Sequence, residues 1–120
     1  MPGLFHRAEH LLKHPEELLS MLGAAGKKAY AKRSVLVHIF EELLLLFRFV
    51  KSWVSGEYRD VPTRSVFWAV LAILYFLSPL DLVPDLFPGG YFDDIALITF
   101  VLKKIRADLD TFRLWEKDKK

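Results

Sequence analysis

The sequence predicts an all-α fold, a compact bundle of four to five helices, on three observations. Apolar residues recur at helical spacing from Leu4 to Phe112. No stretch alternates apolar and polar residues as a half-buried strand would. A Pro-, Gly- and Asp-rich segment, "SPLDLVPDLFPGGYFDD" at residues 78–94, separates two strongly apolar segments. At 120 residues the chain reads as one helical domain. Residues 1–60 hold amphipathic and central helices, 65–103 the apolar core, and 104–120 an amphipathic helix end.

The first helix follows from Leu4, Phe5, Ala8, Leu11 and Leu12, which share one face. Pro15 closes it, because the residue before proline is pushed out of the α region. Glu16 and Glu17 suit the first turn of a second helix, where acids complement the positive end of the dipole. Leu18, Leu22, Ala25 and Ala29 form its apolar face. Gly23 and Gly26 weaken it and would permit close approach to a neighbour. It ends in the basic cluster Lys27, Lys28, Lys32 and Arg33.

Ser34 has the side chain of an N-cap for a third helix, Val35 to Val54. That helix is apolar around most of its girth, as a central bundle helix or a lipid-facing one is. Its narrow polar seam runs through His38, Glu41, Arg48 and Ser52, and Glu41 and Arg48 are placed to partner a neighbouring helix. Residues 55–63 read as a loop. A fourth helix runs from Pro62 or Thr63 to Leu77. The last starts near Tyr91 and continues towards Trp115, with Tyr91, Ile95, Ile98, Leu102, Ile105, Leu109 and Phe112 as its core stripe.

Composition narrows the function classes. Hydrophobic residues make up 52% of the chain, so burial is unusually complete or apolar surface meets lipid or a partner. Without cysteine there is no disulfide, thiolate metal site or thiol nucleophile. A net charge of +2 and the lack of a recognition motif argue against nucleic acid. The N-terminus lacks a secretory pattern, since His6, Arg7 and Glu9 interrupt its apolar run. The longest uncharged run, Ser65 to Leu80, falls short of the ~20 apolar residues of a comfortable membrane crossing.

The interhelical segment has a structural reading. Ser78, Pro79 and Asp81 spell a helix start: a capping hydroxyl, proline at the first position, an acid at the third. Pro84 and Pro88 force the residues before them to extend. Gly89 and Gly90 supply a turn, and Asp93 and Asp94 fall in the first turn of the last helix. The competing reading makes Asp81, Asp85, Asp93 and Asp94 a hard-cation site for Mg²⁺ or Ca²⁺. Their spacing matches no calcium loop, which favours capping.

The pattern Ser78-Pro79, Asp81-Leu82, Pro84-Asp85, Pro88, a glycine, then Asp93-Asp94 resembles the signature of the YkvA family. This domain of unknown function occurs in many small bacterial proteins and in some larger membrane-bound ones. The resemblance covers residues 65–103 and departs mildly at Gly89-Gly90, where the typical pattern has one glycine after bulkier residues. It implies a helical, often membrane-associated module with no settled activity, and leaves the first 60 residues uncovered.

Two further clusters bear on function. His6, His10 and His14, spaced i, i+4, i+8, would offer two imidazoles to Zn²⁺ or Ni²⁺. No cysteine or well-placed carboxylate completes a closed site in the sequence, which favours a solvated face. "HIFEE", His38 to Glu42, reverses the order found in di-iron bundles and occurs in one copy where two are needed.

Lys27, Lys28, Lys32 and Arg33, beside the amphipathic face carrying Leu4, Phe5 and Leu11, fit attraction to anionic lipid. In a hairpin of helices three and four, Trp53, Tyr58 and Trp68 share one level, as interfacial aromatics do, with Tyr75 and Tyr91 at the other end. The expected function is therefore a membrane-associated interaction or scaffold module, at the cytoplasmic face of a membrane or in the cytoplasm. Its expected partner is a lipid surface or a hydrophobic protein, with a homo-oligomer also open and no cofactor expected. The alternative is a divalent-metal-dependent enzyme or metal-binding protein using the four aspartates.

Overall fold

The structure, a computed structural model, describes residues 2–77 and 91–119, with side chains for 5–77 and 97–118. Among them lie six helices and no strand: α1 (Pro2–Leu12), α2 (Pro15–Ala31), α3 (Phe40–Val54), α4 (Thr63–Leu77), α5 (Tyr91–Lys104) and α6 (Arg106–Lys119). The expected all-α bundle is present. The additional helix arises because the last predicted helix is two, interrupted at Ile105.

α4 is the axis of the fold. It packs against α1, α2, α3 and α5, and everything from Ala69 to Phe76 on it is buried. Wrapping by four neighbours explains why this helix needs no charged residue after Arg64. The core it anchors draws on all six helices, including Ala8 and Leu11 from α1 and Leu109 and Phe112 from α6. Much of the chain's apolar content is consumed there.

The proline at residue 15 opens α2 as its first residue, where a missing N–H costs nothing. Leu18, Leu22, Ala25 and Ala29 are buried on the predicted face, joined by Met21. Gly23 and Gly26 serve no close approach: a Cβ added at either meets nothing within 4 Å.

The start of α3 differs from expectation. Residues 32–39 form successive turns, with Val35 N–H and Leu36 N–H both donating to the Lys32 carbonyl. The helix proper begins at Phe40, preceded by Ile39 rather than capped by Ser34. Three β-branched residues, Val35, Val37 and Ile39, resist continuous helix here. Glu41 and Glu42 then occupy the first turn, as the dipole favours. At the other end, Gly56 takes φ 87° just past the helix, a left-handed turn that favours glycine.

α5 packs on α4 and α6 on α3, so the interruption at Ile105 falls where the last helix changes neighbours. Of the predicted stripe, Ile98, Leu102, Ile105, Leu109 and Phe112 are buried, and the side chains of Tyr91 and Ile95 lie outside the described residues. Two ion pairs fix α6 to α3. Arg48 donates to both carboxylate oxygens of Glu116 at 2.8 and 3.3 Å, and Arg106 pairs with Glu42 at 3.3 Å. Arg48 thus finds its neighbour as expected, while Glu42 takes the part foreseen for Glu41.

Candidate membrane-binding surface

The basic cluster divides in two. Lys28 is drawn inward: its Nζ donates to the carbonyls of Phe76 and Leu77 and lies 5.0 Å from the Phe76 ring centroid. There it satisfies the last carbonyls of α4, at the negative end of that helix dipole. Lys27 and Arg33 remain on the surface, with Lys32 half-buried beside them.

The end of α2 and the connector from α2 to α3 expose large apolar groups. Tyr30, Val35 and Val37 are 62%, 66% and 64% exposed. Leu36, between the two valines, is buried and pins the turns to the core. The Arg33 guanidinium stacks 3.9 Å from the Tyr30 ring centroid and donates to the Tyr30 carbonyl at 2.7 Å. An aromatic ring and its cation therefore face outward together. Neither Tyr30 nor the two valines stood out in the sequence: helical spacing places Val35 on a stripe with Ile39 and Leu43, and Val37 on none. The signal available was β-branched apolar residues placed directly after a Lys-Arg pair.

A second apolar patch joins α1, α4 and α5. Phe5, 47% exposed, stacks on Phe67 at 5.9 Å and meets Trp68 edge-on at 6.5 Å. Trp68 in turn contacts Phe100 at 6.1 Å, and Lys104 lies 5.1 Å from the Trp68 ring centroid. Phe5 and Trp68, both expected at a membrane, thus share one half-exposed aromatic surface.

Leu11 and Trp53, expected there as well, are each 8% exposed and belong to the core. Tyr58 and Tyr75 are also buried. Tyr58 packs within a cluster of Phe49, Phe112 and Trp115, where large apolar rings gain most from leaving water. Burial raises its phenol pKa, with Asp60 and Asp108 adding to the rise. Leu4 lies in α1, its side chain outside the described residues.

Ser78, Pro79, Asp81, Pro84, Asp85, Pro88, Gly89 and Gly90 also lie outside the described residues. Asp93 and Asp94 fall in the first turn of α5, their side chains outside them too. The histidine stripe divides: His10 and His14 come together with Glu17, and His6 is exposed outside that group. His38 is exposed, and no metal-type cluster forms around it among the described residues.

A family model described as "Protein of unknown function (DUF1232)" matches residues 65–100, which take in most of α4 and most of α5. The chain is 32% identical over 96 residues to the Bacillus subtilis (strain 168) protein called "Uncharacterized membrane protein YkvA". That alignment covers 79% of this chain and 91% of the relative. No solved structure matches the chain. The chain belongs to the YkvA family. Among its described residues, no helix is long and apolar enough to cross a membrane.

Proposed function

We propose that this chain is a peripheral membrane module that docks on an anionic lipid surface, at the cytoplasmic face, and serves there as an interaction or scaffold unit. The observation that carries this reading is the α2–α3 connector. Tyr30, Val35 and Val37 are exposed, Arg33 stacks on the Tyr30 ring, and Lys32 and Arg33 directly precede the valine stretch in the chain. The name of the Bacillus relative, a membrane protein, supports the setting. Among the described residues no helix is long and apolar enough to cross a membrane, and a surface of this kind would meet lipid without one.

The physical terms are separable. Each Lys or Arg near an anionic surface contributes about 1 kcal/mol, screened by salt. Burying an aliphatic side chain adds about 1.5–3 kcal/mol that salt does not screen. Co-flotation with phosphatidylserine vesicles, but not with phosphatidylcholine vesicles, is the expected result. Salt should weaken it in part. Gln at Lys27, Lys32 and Arg33 should remove the salt-sensitive part, and Asp at Val35 and Val37 most of the rest. A chain that never floats with anionic vesicles at low salt would end this reading.

A further inference from the structure

The α1–α2 corner brings together side chains that lie apart on separate helices. His10 lies in the last turn of α1, His14 stands immediately before Pro15, and Glu17 lies in the first turn of α2. One potential ligand atom from each lies within 4.8 Å of the other two. His10 Nε2 stands 3.0 Å from Glu17 Oε1. The two imidazoles are stacked, with centroids 3.9 Å apart.

We infer that this corner is a divalent transition-metal site, of the Zn²⁺ class, with His10, His14 and Glu17 as its protein ligands. Two imidazoles and a carboxylate are a donor set zinc accepts, leaving a further position for water. Ligand atoms around a tetrahedral zinc stand about 3.3 Å apart, given bonds of about 2.0–2.1 Å. The His10–Glu17 separation is already close to that edge, and one ring must tilt to bring the third donor in.

The hydrogen bonding at His14 supports the assignment. Its Nδ1 lies 2.7 Å from the His10 carbonyl oxygen, which can only accept. Nδ1 therefore carries the proton, and Nε2 is left as the basic nitrogen. A hydrogen bond from the other ring nitrogen to a backbone carbonyl is how metal-binding imidazoles are commonly oriented. The corner also explains what a metal would do. Between α1 and α2 the chain has only Lys13 and His14, so an ion held from both sides staples the N-terminal helix to the bundle. The site is exposed, so the ion would exchange with solvent rather than be locked in.

Isothermal titration of tag-free, metal-stripped protein with ZnCl₂ tests this. One equivalent should bind with micromolar affinity and raise the Tm by a few degrees, as binding to the folded state must. His10→Ala and His14→Ala should each weaken binding at least tenfold, and Glu17→Gln should weaken it several-fold. His6→Ala should leave it unchanged. All four positions are exposed, and circular dichroism of each variant establishes that it is folded. Two results would overturn the proposal: no saturable Zn²⁺ binding by wild type, or binding that survives His10→Ala and His14→Ala. Loss of binding in Asp85→Asn with full binding in the histidine variants would be the second of these, with the ion placed in the aspartate motif.

Discussion

Lys28 on α2 reaches across to donate to the backbone carbonyl of Phe76 at the end of α4. This contact ties α4, the most apolar of the described helices, to the helix that carries Lys27 and Lys28. The second acceptor of Lys28, the Leu77 carbonyl, immediately precedes Ser78, where the family motif begins. Lys28→Met should keep the stem packing and lose the charged hydrogen bond, costing about 1–2 kcal/mol in urea unfolding. Lys28→Gln should reduce vesicle binding less than Lys27→Gln, because this ammonium is engaged inside the protein.

Ser65 is the buried polar side chain of α4, and its hydroxyl donates to Asp108 on α6. The bond links the start of α4 to the first turn of α6. Ser65→Ala should destabilise by about 1–2 kcal/mol, at the lower end for a charged acceptor because Asp108 is partly hydrated. An unchanged urea midpoint would show that the bond contributes nothing net.

Gly23 and Gly26 lie within α2 with open space around the position a Cβ would take. Alanine at either should therefore stabilise by about 0.5–1 kcal/mol, through helix propensity and a less free unfolded chain. The combined variant should show a Tm several degrees higher.

Tyr58 gives the protein an alkaline limit. Its phenol sits above the ordinary value of 10.0 through burial, then through Asp60 and Asp108. The folded chain thus holds this proton more tightly than the unfolded one. Its contribution is fully present below the unfolded value of 10.0 and is lost as pH rises through the folded one. Stability should fall above about pH 10 in the wild type and fall less in Tyr58→Phe, measured by urea unfolding across pH.

Local signals located α1, α2 and α4 well. Pro15 and the first-turn Glu16 and Glu17 mark the start of α2, and the uncharged run after Arg64 marks α4 as the buried axis. The start of α3 was not legible, because Val35, Ile39 and Leu43 have helical spacing whether or not the first of them is helical. Only β-branching hinted that it is not. Lys28 and Glu17 show the same limit at the sites. Both obey local rules, one in a basic cluster and one as a first-turn acid. What each touches depends on how α2 meets α4 and α1, which no local pattern encodes.

On the proposed function, the α2–α3 connector is what meets the membrane. The natural chain has no cysteine, so a single one can report on any surface position. Val37→Cys and Leu114→Cys, at positions that are both 64% exposed, would each carry an environment-sensitive fluorophore. On phosphatidylserine vesicles the label at residue 37 should shift to the blue and gain intensity as it enters an apolar medium, while the label at 114 stays unchanged. A shift at 114 with none at 37, or none at either while the protein is bound, would contradict the account.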